Sequence, residues 1–108
     1  MTGDELARLL EEASVTLVDV RSPEEFSGEA GYPCDARQGH IEGAVNVPLE
    51  VLMVDMPAAL ADLDTSRTIV AYCHSGQRSE MAAALLRAAG HDASNYEGSW
   101  HEWSQREA

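Results

Sequence analysis

Cys73 is the residue of this chain whose surroundings best suit covalent chemistry. It ends the apolar run TIVAY (68–72), and the residues HSGQR (74–78) then lead into an alanine-rich helical pattern. If this loop curls around the sulfur, its backbone amides can point inward, and the start of the helix adds partial positive charge. Gly76 permits backbone conformations that other residues resist. Because such surroundings lower the pKa of a thiol from about 8.5 to between about 3.5 and 7.5, we expect a reactive thiolate.

A buried cysteine at the end of a strand can also be an inert apolar residue. Here a glycine, an arginine and a helix start coincide around Cys73, which favours the reactive interpretation. The guanidinium of Arg78 offers a planar fork of donors that matches two oxygens of an anion. The sequence therefore predicts Cys73 as the nucleophile and the rest of the loop as the substrate-binding residues, namely His74, Ser75, Gly76, Gln77, Arg78 and Ser79.

The elements that would position this loop alternate between strands and helices. Four strands are predicted, at 16–20, 44–47, 68–72 and, more weakly, 93–96. Helices are predicted to begin at the capping residues Thr2 and Ser22, to cover 79–89, and to lie within 97–103. A further helix is predicted over 49–63, which Pro57 should break or restart after Met56, and residues 27–39 are predicted as a loop. This alternation is typical of a parallel sheet covered on both faces, in which ligands bind at the carboxyl ends of the strands. Cys73 lies at such an end.

Composition and charge limit the classes of protein and partner. The chain has 108 residues, which predicts a single domain over 1–108, and its 19 acidic and 7 basic residues give a formal net charge of −12. That charge makes nucleic acids and anionic membranes poor partners. All basic residues are arginines, which fits ordinary acidity or adaptation to high salt. Two dissimilar cysteines, and no apparent leader or long apolar span, predict a soluble cytoplasmic protein with free thiols.

Four segments resemble the motifs of the rhodanese superfamily. The loop CHSGQRS (73–79) resembles the common active-site form Cys-x-x-Gly-x-Arg-Ser of that family. The segments LVDVRSPEEF (17–26) and GHIEGAVNVP (39–48) look like its first two conserved blocks, and NYEGSWHEW (95–103) is similar to its closing segment. The resemblance implies an α/β fold, the rhodanese-like three-layer α/β/α architecture with a central parallel sheet of four to five strands.

The resemblance also implies an activity. Cys73 would take a sulfane sulfur from thiosulfate or a similar donor, become a persulfide, and pass the sulfur to cyanide, a thiol or a protein acceptor, without a cofactor. A rhodanese-like module that relays or senses sulfur for a partner protein is the alternative. Phosphatases of the same fold are a lesser alternative, because their loop has five residues between cysteine and arginine and this chain has four, His74 to Gln77.

Two charged residues end the first predicted strand. Asp19 and Arg21 have two interpretations: they orient the cysteine loop or the donor, or they form an internal ion pair that supports the fold. His40 is interpreted as a structural hydrogen-bonding residue rather than a base, since transfer from thiosulfate needs no general base if Cys73 is already a thiolate.

The remaining polar and aromatic candidates are given structural roles. Trp100 and Trp103 are expected to cap the core, and the glutamate pair at 24–25 is expected to be an ordinary solvated face. Cys34 lies in a polar loop and is interpreted as incidental, or else as a thiol that resolves the persulfide or forms a regulatory disulfide. No histidine–cysteine spacing along the sequence predicts a metal site.

Overall fold

Helices alternate with strands along residues 1–106, the part of the chain that this computed structural model describes. Along these residues, no helix combines the length and the apolar character needed to cross a membrane. In chain order the elements are α1 Gly3–Glu11, β1 Val15–Asp19, α2 Pro23–Ser27, β2 Val45–Asn46, α3 Leu49–Val54, α4 Met56–Ala59, β3 Thr68–Tyr72, α5 Gln77–Ala88, β4 Ala93–Asn95 and α6 Ser99–Trp103.

The four strands form one parallel sheet in the order β2-β1-β3-β4. The two central strands pair along their full lengths, from Val15 opposite Thr68 to Asp19 opposite Tyr72. This arrangement confirms the predicted parallel sheet. Because β3 lies between β1 and β4, the chain leaves its carboxyl end at Cys73 with a neighbouring strand on either side.

Side chains of the central strand β3 alternate between two hydrophobic cores. Ile69 and Ala71 lie in one core, and Val70 and Tyr72 lie in the other. The first core also contains residues of α3 and α5, and the second contains residues of α1 and α6; they are Leu52, Ala82 and Leu86 in the first and Leu6 and Trp100 in the second. Helices therefore cover both faces of the sheet, which confirms the three-layer α/β/α architecture.

Two helices begin with the capping boxes that the sequence predicts. The Thr2 hydroxyl accepts the Glu5 backbone N–H at 3.1 Å, and the Glu5 carboxylate accepts the Thr2 N–H at 3.1 Å. Ser22 and Glu25 form the same reciprocal pair at 3.2 Å at the start of α2. The capping box at the start of α2 also fixes the position of the Glu25 carboxylate.

The helical segment predicted over 49–63 differs from the prediction. It divides at Asp55 rather than after Met56, and it ends at Ala59. The Asp55 carboxylate accepts the Ala58 N–H at 3.2 Å and so caps a new helix, while Pro57 lies in the first turn of that helix. A proline fits there because the first N–H groups of a helix have no partner within it. The helix therefore restarts at the proline, which is one of the two predicted outcomes, although the division falls at Asp55.

Asp19 and Arg21 form a buried ion pair. Their side chains are 0 and 1% exposed, and Arg21 Nη2 lies 2.7 Å from Asp19 Oδ2. Arg21 also donates to the Gly39 carbonyl at 2.6 Å and lies over the Trp100 ring. The geometry is that of an internal ion pair that holds the long 28–44 segment against the sheet. Within residues 1–106, none of its hydrogen bonds reaches the cysteine loop directly, so a loop-orienting role remains a prediction.

His40 and the tryptophans have contacts that fit the structural roles expected of them. The His40 Nδ1 lies 2.8 Å from the Phe26 carbonyl oxygen, and the two rings stack. Trp100 is fully buried in the core and donates its indole N–H to the Arg37 carbonyl at 3.0 Å, while Trp103 packs against the edge of that core.

Candidate active site

The sulfur of Cys73 is buried among hydrogen-bond donors at the carboxyl end of β3. Its Sγ accepts the Gly76 backbone N–H at 3.1 Å and the Ser79 hydroxyl at 3.3 Å, and Ser99 Oγ lies 4.0 Å away. The residue itself is 1% exposed. The loop curls around the sulfur as the sequence predicts, and two of the predicted loop residues contact it directly.

Hydrogen-bond donors around the sulfur act against burial on the pKa of the Cys73 thiol. Burial opposes ionisation of Cys73, but the Ser79 hydroxyl and the backbone N–H groups of Ser79, Gly76 and Ser75 together outweigh it and lower the pKa of Cys73 below its ordinary value. The cysteine also faces the first turn of α5, whose partial positive charge favours an anion. The arrangement stabilises a thiolate.

The lowered pKa of Cys73 is measurable as the pH dependence of its alkylation. In a Cys34→Ser variant, which leaves a single thiol, we expect the iodoacetamide rate to reach half its maximum at a lower pH than for a free cysteine peptide. The sign follows because only the thiolate reacts, and the fraction of thiolate rises through the pKa. A midpoint at or above that of the peptide would contradict the donor arrangement around the sulfur.

Gly76 makes the shape of the loop possible. Its φ angle is +99°, and a Cβ at this position would lie 2.7 Å from the Glu97 carbonyl oxygen. The Gly76 carbonyl also accepts the Asn95 side-chain amide at 3.2 Å. A glycine is therefore needed both for the backbone angle and for the close approach of the segment that follows β4.

The other loop side chains point in different directions. The His74 ring lies 2.9 Å from Asp35 Oδ1 and stacks on Tyr32 with the ring centroids 3.8 Å apart. Ser75 and Gln77 are exposed. The structure thus brings together around the sulfur the backbone of the loop and the Ser79 hydroxyl, whereas the His74 ring faces the 28–44 segment.

Arg78 binds Glu25 through both arms of its guanidinium. The two distances are 2.8 Å from Nη1 to Oε1 and 3.0 Å from Nη2 to Oε2. The pKa of Glu25 is lowered to about 2, and the hydrogen bond from Arg78 is the largest cause of this shift. The expectation that Glu25 is an ordinary solvated residue is wrong, since its side chain is 12% exposed and tied to the loop. Glu25 occupies the guanidinium N–H groups of Arg78 that are expected to bind the donor anion. Donor binding by Arg78 therefore remains a prediction.

The Arg78→Leu variant tests whether the charge of Arg78 determines which sulfur donor is used. In Arg78→Leu the Glu25 carboxylate loses its partner, so the local charge of the pair changes from neutral to −1. We expect kcat/KM for dianionic thiosulfate to fall about tenfold more than kcat/KM for a persulfide donor of lower charge, since the site is only partly screened by solvent. The measurement is steady-state kinetics with both donors.

The double variant Arg78→Leu/Glu25→Gln removes both charges and serves as the control. Recovery of the donor preference would mean that Arg78 acts by neutralising Glu25, and continued loss would mean that the guanidinium meets the donor. An equal fall of kcat/KM for the two donors in Arg78→Leu would contradict an electrostatic role in donor selection. Arg78 would then have only a structural role in holding the loop.

The segment after β4 closes behind the cysteine loop through contacts that the sequence does not reveal. The Cys73 N–H donates to Ser99 Oγ at 3.0 Å, and the Ser99 hydroxyl donates to the Tyr96 carbonyl at 2.9 Å. The N–H groups of Trp100 and His101 donate to the carbonyls of Cys73 and His74 at 2.9 and 3.0 Å. Ser99 has a φ angle of +53°. The segment 95–103 marks this region, but nothing in its pattern singles out the Ser99 hydroxyl.

A second cluster of reactive side chains lies beside the loop. Cys34, Asp35, His74 and His101 place one potential ligand atom each within 4.8 Å of one another. The sequence predicts no metal site, because these residues come from three segments and Asp35 is 39 and 66 positions away from the two histidines. Cys34 and Cys73 are both free thiols.

Comparison with known proteins identifies related sequences. The sequence model of the rhodanese-like domain family matches residues 2–106 of this chain. "Putative thiosulfate sulfurtransferase SseB" of Mycobacterium tuberculosis is 40% identical over 83% of this chain, and a thiosulfate sulfurtransferase of Corynebacterium glutamicum is 34% identical over 91%. The chain spans only 35 and 38% of the length of these two relatives.

Solved structures show the same fold. A probable thiosulfate sulfurtransferase superimposes with a TM-score of 0.80 at 45% identity, over 97% of this chain and 44% of that one. A human single-domain sulfurtransferase superimposes with a TM-score of 0.75 at 28% identity, over 100% of this chain and 96% of the other. With its parallel sheet, its cysteine loop and these relatives, the chain belongs to the family of rhodanese-like domains.

Proposed function

We propose that this chain is a sulfurtransferase that moves a sulfane sulfur from thiosulfate, through a persulfide on Cys73, to cyanide or a thiol. The Cys73 thiolate attacks the outer sulfur of thiosulfate and forms a new S–S bond. The S–S bond of thiosulfate breaks, and sulfite leaves with the electron pair. Cyanide then attacks the outer sulfur of the persulfide, so that thiocyanate leaves and the thiolate is regenerated.

The observation that carries this proposal is the set of donors around the Cys73 sulfur. The Gly76 N–H at 3.1 Å and the Ser79 hydroxyl at 3.3 Å favour the thiolate, which is both the attacking group and the group restored at the end of the cycle. A thiolate nucleophile needs no general base, and the lowered pKa of Cys73 favours that form. A loop with four residues between cysteine and arginine suits a sulfur atom better than a tetrahedral phosphate.

The relatives support the choice of thiosulfate as donor. The Corynebacterium glutamicum protein carries the name thiosulfate sulfurtransferase, and it is similar to 91% of this chain. We further propose that residues 1–108 act as one rhodanese domain whose partners are a small-molecule donor and a thiol, cyanide or protein acceptor. A cytoplasmic location remains a prediction from the sequence.

Steady-state turnover with thiosulfate and cyanide tests the proposal. An enzyme forms thiocyanate linearly over many equivalents per protein chain, whereas a sulfur relay that awaits a partner loads one sulfur and turns over poorly with cyanide. We expect linear formation that depends on Cys73. Loading of one sulfur with little formation of thiocyanate would contradict the enzymatic proposal and favour the relay.

A further inference from the structure

We propose that Cys34, Asp35, His74 and His101 form a binding site for a divalent cation of the zinc class, at the edge of the cysteine loop. One thiol, one carboxylate and two imidazoles supply sulfur, oxygen and nitrogen donors, a mixture that suits Zn²⁺ and does not suit Mg²⁺ or Ca²⁺. The site does not include Cys73.

The distances among these side chains are close to those of a tetrahedral metal centre. Asp35 Oδ1 lies 2.9 Å from His74 Nε2 and 2.8 Å from His101 Nδ1, and all four ligand atoms lie within 4.8 Å of one another. Bonds to zinc of about 2.0–2.3 Å place neighbouring ligand atoms about 3.3–3.8 Å apart. Small side-chain rotations therefore suffice to open the cluster around an ion.

Asp35 supplies an independent sign of a missing partner. Its side chain is 0% exposed, and within residues 1–106 its Oδ2 is a buried oxygen without any hydrogen-bond partner. A buried carboxylate oxygen that is left unsatisfied is costly, so native structures pair such atoms with a donor, water or a cation. A cation bound by this carboxylate would remove the deficit.

The backbone holds the ligands in place, and the cluster is open to solvent. The His101 N–H donates to the His74 carbonyl at 3.0 Å, which fixes α6 against the cysteine loop. Cys34 is exposed and the His101 side chain is 43% exposed, so an ion can enter from that side. The carboxylate forms the floor of the site, and the thiol and imidazoles form its rim.

Metal binding by a Cys73→Ser variant tests the site without interference from the reactive thiol. We expect the reduced variant to take up one equivalent of Zn²⁺ in competition with a chromogenic chelator, and to give with Co²⁺ the intense visible bands of a tetrahedral complex and a sulfur-to-cobalt charge-transfer band. Mg²⁺ should not compete. Absence of binding in Cys73→Ser would overturn the proposal, because all four proposed ligands are present in that variant.

Substitutions of the two exposed ligands locate the ion. In the Cys73→Ser background, Cys34→Ser and His101→Gln should each weaken Zn²⁺ binding at least about 100-fold. Loss of a residue that only hydrogen-bonds to a metal ligand already weakens metal affinity about 10- to 100-fold. Cys34→Ser should also abolish the charge-transfer band. His91→Gln, in the short connection that follows the last residue of α5, is the matched control and should bind as tightly as the background.

Thermal unfolding in chelator-treated buffer confirms that each variant is folded before metal is added. Zn²⁺ should then raise the melting temperature of Cys73→Ser and of its His91→Gln derivative, and should leave the Cys34→Ser and His101→Gln derivatives unchanged. Equal affinities and equal shifts in all of these folded variants would overturn the assignment.

Discussion

Replacing Cys73 by serine is expected to abolish sulfur transfer and to leave the fold intact. A serine hydroxyl is not ionised near neutral pH, and it cannot form the persulfide through which the sulfur passes. We expect turnover of thiosulfate and cyanide to fall by at least about 10³-fold, as for the loss of other catalytic nucleophiles. The donors from Gly76 and Ser79 can bind a hydroxyl oxygen, so the loop has no new unsatisfied group.

The second cysteine provides the matched control. Cys34→Ser, assayed in buffer that contains a chelator, should retain most of the activity because Cys34 is exposed and lies outside the donors around the Cys73 sulfur. Circular dichroism should show native spectra for both variants. Turnover near the wild-type rate in Cys73→Ser would refute Cys73 as the nucleophile, and collapse in Cys34→Ser would show that the second thiol takes part.

Replacing Gly76 by alanine should cause the second largest effect, on stability and on the cysteine together. The backbone angle of +99° strains any residue with a Cβ, and the new methyl group would approach the Glu97 carbonyl oxygen to 2.7 Å. Strain and overpacking each cost about 1–3 kcal/mol, so we expect the free energy of unfolding to fall by about 2–6 kcal/mol. Because the Gly76 N–H moves away from the sulfur, the pKa of Cys73 should rise and sulfur transfer should slow.

Gly90→Ala separates these two contributions. Gly90 has a similar φ angle of +96°, but nothing lies within 4 Å of the position where its Cβ would be. We expect it to lose about 1 kcal/mol through backbone strain alone and to keep the wild-type pKa of Cys73. Denaturant unfolding and the pH profile of alkylation measure both quantities. The same loss in both variants, with Cys73 unaffected, would show that the contact with Glu97 has no role in shaping the loop.

The elements whose signals are local lie where the sequence predicts them. The run TIVAY coincides with β3 Thr68–Tyr72, and the capping residues Thr2 and Ser22 start helices as predicted. The position of Cys73 at a strand end followed from the same alternation. Such features depend on neighbours within a few residues, so their physical causes can be read along the chain.

Most errors and omissions of the sequence-based predictions concern contacts between distant segments. Arg78 pairs with Glu25 across 53 positions, and the Ser99 hydroxyl reaches the Cys73 backbone across 26. A glutamate in a solvated pattern and one that is tied to a loop look alike in sequence. The same holds for Asp35, whose ligand-like neighbours come together only in the folded chain. At Asp55 a local cap was present, but the proline two residues later dominated the prediction.

Intact-mass measurement after incubation with thiosulfate tests the central claim most directly. A persulfide on Cys73 predicts that the protein gains the mass of one sulfur atom while one equivalent of sulfite is released. Cyanide should remove that mass and yield thiocyanate, and Cys34→Ser should behave as the wild type does. No gain in the wild type, or an equal gain in Cys73→Ser, would contradict sulfur transfer through Cys73.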